Sequence, residues 1–181
     1  MITKTILFWR LESMLAESRA MFGEEDTQYK VIDISFWDNL PEAHYADQNN
    51  LSKIDIKLSM DAIDNEPQAC YQLAHESIHL ISPNRRLDGE FIEVTNLEEG
   101  LATYFAGYYM AKFFNDETWR PANDKYRDAL DIVKKMLSIN SGIIRILRKK
   151  QPIISKITMS DLLSENIPVE LAEKLVVKFY Q

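Results

Sequence analysis

The chain has 181 residues, of which 46% are hydrophobic and 27% charged, with a formal net charge of −7. That length gives one domain whose core needs no disulfide or metal staple, and the composition excludes collagenous and largely disordered chains. The acid excess argues against a nucleic-acid partner, which would call for clustered Lys and Arg, and the lone Cys70 excludes a disulfide framework or multi-cysteine zinc site.

No apolar run is long enough to span a membrane, and Met1–Arg10 does not read as a secretory signal, so the expectation is a cytoplasmic domain with no membrane partner. A first helix is predicted over 6–22, with Leu7, Leu11, Met14, Leu15 and Phe22 as its apolar stripe, interrupted by Ser18 and closed by Gly23. Glu24, Glu25 and Asp26 read as a loop. A strand is expected over 29–36, with Tyr29 and Val31 on one face and Ile32, Ile34 and Phe36 on the other. Residues 43–48 suggest a short edge strand before an Asn49-Asn50 turn. Ile54, Ile56 and Leu58 alternate with polar residues in the clearest strand of the chain.

From Asn65 the pattern turns helical. Asn65 or Asp64 caps a helix with Glu66 and Pro67 in its first turn, running to Ile81. Further helices are predicted over 95–114, 124–139, 141–150, 160–165 and 168–180. The fold class is therefore α+β: a small antiparallel sheet early, packed on helices that continue to the C-terminus.

The helix ending at Ile81 contains His75-Glu76-Ser77-Ile78-His79. Histidines four apart share one helical face, so both imidazoles can reach one ion. Glu76 sits beside that face, where its carboxylate can take a proton from a metal-activated water. A catalytic zinc needs a third protein ligand. His44 lies far upstream, and Cys70 is out of phase with the histidines, which leaves a carboxylate. The next helix opens Thr95-Asn96-Leu97-Glu98-Glu99-Gly100-Leu101-Ala102. Thr95 and Glu98 have capping-box spacing, so Glu98 is read as the cap. Glu99 is in phase with Ala102, Thr103 and Ala106, a stripe that admits close helix packing, and is read as the third ligand.

His75-Glu76-Ser77-Ile78-His79, nineteen intervening residues, and then Glu99-Gly100-Leu101-Ala102 resemble the gluzincin zinc metallopeptidases, which include thermolysin-like enzymes and the small minigluzincins. Where that family often has an Asn before the ligand, this chain has Glu98. The resemblance covers roughly residues 29–110. It implies a zincin-like core, a Zn2+ held by His75, His79 and Glu99, and an edge strand over 43–48 that pairs with an extended peptide or protein substrate. It also implies amide hydrolysis with Glu76 as general base, and a Tyr or His that stabilises the oxyanion. Tyr126 is the first choice for that role, with Tyr104, Tyr108, Tyr45 and His44 left open.

Other features have simpler readings. The aromatic cluster from Tyr104 to Phe114 reads as core and cleft wall, Arg145–Lys150 as a solvated helix end, and Cys70 as packing. Three functional classes follow: a zinc peptidase, a metal-binding but latent or inactive regulatory or interaction domain occluded by its own tail, and a helical interaction protein with an accidental motif.

Overall fold

The computed structural model describes residues 2–24, 29–46 and 50–179 of the chain. Thr3 accepts a hydrogen bond from the Ile6 amide at 3.3 Å and starts α1 (Lys4–Phe22), which stops at Gly23 with φ of 98°. Its buried stripe is Leu7, Leu11, Met14, Ser18 and Phe22. Ser18 continues the stripe because its hydroxyl donates to the Leu15 carbonyl at 3.1 Å, which satisfies it locally. Glu25 and Asp26 of the predicted loop lie outside the described residues, as do Asp47, Gln48 and Asn49.

Three strands follow: β1 (Lys30–Trp37), β2 (Glu42–Tyr45) and β3 (Lys53–Ser59). Their spatial order is β1-β3-β2, with β1 parallel and β2 antiparallel to β3. The sheet is thus mixed, not antiparallel as expected. β3 buries Ile54, Ile56 and Leu58 on one face, and a strand with that much apolar surface is best covered at the centre. The chain reaches it by laying β2 on the far edge and turning back, which leaves β1 and β3 pointing the same way. A register shift between Val31 and Asp33 also breaks the predicted alternation of β1. Tyr29, Val31, Ile34 and Phe36 all pack toward the core, whereas Ile32 is exposed.

Asn65 accepts from the Gln68 amide at 3.2 Å and caps α2 (Glu66–Ile81). The Gln72 side chain accepts from the Ser59 amide at 2.9 Å, fixing this helix to the end of β3. The remaining helices are α3 (Asn96–Phe114), α4 (Asp124–Ile139), α5 (Ile143–Lys150), α6 (Met159–Ser164) and α7 (Val169–Leu175). A single contiguous core runs from Leu7 to Leu175. Cys70 is buried in it, and burial pushes its thiol up to about 11. Among the described residues no helix is long and apolar enough to cross a membrane.

Two C-terminal expectations change. The last helix ends at Leu175 rather than continuing to Tyr180, which lies outside the described residues. Instead Lys178 bridges Thr95, with the Asn96 amide donating to Val177 O at 2.9 Å and the Phe179 amide to Val94 O at 2.8 Å. Arg148 is also not part of a solvated helix end. It is only 8% exposed, and its guanidinium donates to the carbonyls of Phe22, Gly23, Glu24, Ile81 and Pro152 at 2.7–3.1 Å.

Those carbonyls terminate α1 and α2 and follow α5, so one side chain joins three chain segments. Arg148→Met strands them and is expected to cost about 3 kcal/mol or more in urea unfolding. Arg148→Lys should recover only part, because an ammonium lacks the planar fork. Arg145→Ala should stay within about 0.5 kcal/mol.

Candidate metal centre

α2 presents His75 and His79 one turn apart, with ring centroids at 5.3 Å. α3 faces them with Glu98 and Glu99 in its first turn. The two helices come close because Ala102, Thr103 and Ala106 are small and buried. Glu99 Oε2 lies 3.2 Å from His75 Nε2, and Glu99 Oε1 lies 3.7 Å from His79 Nε2. One ligand atom from each of His75, His79 and Glu99 falls within 4.8 Å of the others.

Glu98 does not cap α3 as the spacing predicts. The Thr95 amide already donates to Ser155 Oγ at 3.0 Å, from a turn of 3-10 helix (Ile154–Lys156), and the Ser155 hydroxyl donates to Glu98 Oε2 at 2.5 Å. The other Glu98 oxygen accepts from His79 Nδ1 at 2.7 Å. A carboxylate beside it favours a proton on His79 Nδ1, which leaves Nε2 facing the Glu99 side as the nitrogen that a proton or a metal ion could occupy. A histidine ligand needs a partner on its second nitrogen, and that requirement was the signal that Glu98 had this role.

Three carboxylates are buried here: Glu76 is 3% exposed, Glu98 0% and Glu99 5%. Burial raises Glu76 above its ordinary value, only partly offset by His79 and His75. Burial alone would raise Glu99 too, but His79 and then His75 outweigh it and hold it below its ordinary value. For His79, burial works downward, yet Glu99, the hydrogen bond to Glu98 and the charge of Glu76 carry it up to about 10. Glu99 Oε2 is buried with His75 Nε2 at 3.2 Å and accepts no well-aligned hydrogen bond among the described residues. Two imidazole nitrogens and an unsatisfied carboxylate oxygen, converging, fit a first-row divalent cation.

A cleft of about 520 Å³ opens over these groups, between the free edge of β2 and α2. A second lobe of about 260 Å³, walled by Leu40, Tyr71, Pro121 and Ala122, meets it at Pro41, His75, Glu76 and Tyr126. Tyr126, from the first turn of α4, lines both lobes with its ring 5.8 Å from that of His75. Gly100 permits this: a Cβ there would meet the Ala129 carbonyl at 2.4 Å, so α4 sits directly on α3.

The other tyrosines do not join the centre. The Tyr108 hydroxyl donates to Glu17 at 3.0 Å, and Tyr104 faces a separate hollow beside Met21 and Lys134. The aromatic cluster of α3 therefore packs toward α1 and α4 rather than walling the cleft. Tyr45 lines the cleft, but its hydroxyl is engaged with Asn84 and the Arg85 amide. His44 sits at the rim with Nδ1 2.7 Å from Glu42. No protein-family model, curated protein or solved structure matches the chain.

The charges set a pH profile for chelator-treated protein. The raised His79 stabilises the fold fully below its ordinary value of 6.5, and that contribution is lost as pH rises through about 10. The lowered Glu99 stabilises above 4.5 and loses that effect as pH falls; the raised Glu76 opposes folding above 4.5. The urea midpoint with chelator present should peak between these values and decline on the alkaline side. His79→Gln should flatten the alkaline limb; a parent profile level from neutral to alkaline pH would refute the assignment.

Proposed function

We propose that the chain is a zinc-dependent peptidase of the gluzincin type, with a zincin-like core, acting on a peptide or protein substrate. The observation that carries this reading is the convergence of His75, His79 and the unsatisfied Glu99 oxygen beside the buried Glu76, at the floor of an open cleft. His75 Nε2, His79 Nε2 and the Glu99 carboxylate would hold the ion. Zinc, when bound, supplies a Lewis acid that polarises a carbonyl and acidifies a water.

The protein's own groups supply the rest. Glu76, its basicity increased by burial, takes a proton from the attacking water and returns it to the leaving amine. Glu98 holds the His79 ring in one tautomer and is itself held by Ser155. The free edge of β2 offers backbone groups to an extended substrate, which aligns its amide with the centre. Tyr126, whose ring borders that of His75, would be the group that donates to the oxyanion.

A second reading, a metal-binding but latent domain, is favoured by one contact. Phe179 packs on Tyr126 with ring centroids at 4.8 Å, so the tail touches the residue assigned to the oxyanion. The described tail residues do not line the cleft, which favours support over occlusion. Phe179→Ala separates the two: turnover falls if the contact steadies Tyr126 and rises if it enforces latency.

The founding experiment is elemental analysis of protein purified without chelator, followed by digestion of an unbiased peptide library. About one zinc per chain is expected, with Glu99→Ala losing most of it. Glu98→Gln should weaken zinc affinity about 10- to 100-fold. Glu76→Gln should keep the metal and lose turnover; a metal-loaded Glu76→Gln that still cleaves removes the base assignment.

A further inference from the structure

The cleft extends past His79 to Asn84 and Arg85, which lie on the connector between α2 and α3. Arg85 is fixed at its base. Its amide donates to the Tyr45 hydroxyl at 2.9 Å, its carbonyl accepts from the Tyr29 hydroxyl at 2.6 Å, and it bridges Phe91. Its guanidinium carbon lies 5.9 Å from the centroid of the Tyr45 ring. The Tyr45 hydroxyl in turn donates to Asn84 Oδ1 at 3.2 Å, and among the described residues the Asn84 amide nitrogen donates to no acceptor.

Among the described residues the Arg85 guanidinium has no carboxylate or carbonyl partner. Other arginines have acceptors within the fold: Arg10 at Glu66, 2.8 Å away, and Arg120 and Arg148 at backbone carbonyls. Glu42, the acid nearest along the β2 wall, is occupied by His44. The cleft therefore has an acidic floor at Glu76 and Glu99 and an unpaired, half-buried cation at its other end. A guanidinium already held against an aromatic face loses little freedom on binding, and its fork matches a carboxylate.

We propose that the Arg85–Asn84 lobe binds a carboxylate of the substrate, so that the cleft selects peptides with an acidic group at one position. The ligand's being a peptide rests on the peptidase reading; the carboxylate site itself does not. The overall charge of −7 repels acidic peptides, so any acidic preference has to arise locally.

The test uses the full-length Glu76→Gln protein, supplied with zinc, to capture hexapeptides from a randomised library, with recovered sequences read by mass spectrometry. Asp and Glu should exceed Asn and Gln about tenfold at one position. Adding Arg85→Ala should abolish that preference, Arg85→Lys should keep part of it, and Arg85→Glu should shift it toward Lys and Arg. Circular dichroism on each variant checks folding. Equal recovery of acids and amides, a preference unchanged in Arg85→Ala, or no capture at all overturns the assignment. Paired libraries with free and amidated C-termini identify the source: preference confined to the free-acid library means a terminal carboxylate, and preference in both means a side chain. Digestion by the parent protein is read separately. Cleavage without acidic preference overturns the lobe and leaves the peptidase reading standing, whereas Arg85-dependent acidic capture without cleavage does the reverse.

Discussion

Three buried carboxylates meet two imidazoles where α2 packs on α3, and the rest of the structure is arranged around that cost. An isolated carboxylate in such surroundings would be several kcal/mol out of balance. With neutral imidazoles the cluster of Glu76, Glu98, Glu99, His75 and His79 carries three negative charges. Two protons or one divalent cation both reduce it to a single negative charge. Glu99 Oε2 accepts no well-aligned hydrogen bond among the described residues, so the cluster keeps an acceptor to spare. A helix interface built only for stability would use apolar side chains here. Clustering five ionisable groups at a helix interface is costlier than filling it with apolar side chains, and such clusters are candidates for functional sites.

The C-terminal third of the chain supports that interface from behind. Arg148 gathers carbonyls from the ends of α1 and α2, which keeps the C-terminal end of the motif helix in place. A few residues later Ser155 reaches both the Thr95 amide and Glu98, so the start of α3 and the orientation of His79 depend on one hydroxyl. Lys178 then bridges Thr95, and Phe179 presses on Tyr126. Two of these contacts reach the site by a short path: Ser155 bonds Glu98 directly, and Phe179 packs on Tyr126, whose ring borders His75.

Local signals carried the elements that local physics decides. The Asn65 cap, Pro67 in the first turn and the apolar spacing suffice for α2, and with it the shared face of His75 and His79. Ile54, Ile56 and Leu58 were legible as a strand for the same reason. What the chain conceals depends on distant partners. The parallel pairing of β1 with β3 follows from where the sheet places its most apolar strand. Thr95 and Glu98 have the spacing of a capping box, but Ser155, sixty residues away from Thr95, satisfies the amide and releases Glu98 for His79. Arg148 lies in a run of cations that reads as solvated, and only the assembled fold reveals the carbonyls that converge on it. Val177 and Lys178 leave the helical pattern because the extended Val94-Thr95 and the first amide of α3, at Asn96, offer them backbone partners.

The adjacency of Glu98 and Glu99 has a geometric meaning. Successive residues on a helix are about 100° apart, so two neighbouring carboxylates cannot face one ligand from the same direction. They can, however, flank one imidazole, and here Glu98 takes Nδ1 of His79 while Glu99 faces Nε2. A proton on Nε2 would make the ring an imidazolium between two carboxylates, which is why its pKa is pushed up to about 10. A cation at the same place would have to displace that proton, so any metal uptake there would release a proton from His79. The pair thus separates two tasks on one side chain: one carboxylate fixes the orientation of the imidazole, and the other shares its open nitrogen with whatever charge occupies the centre.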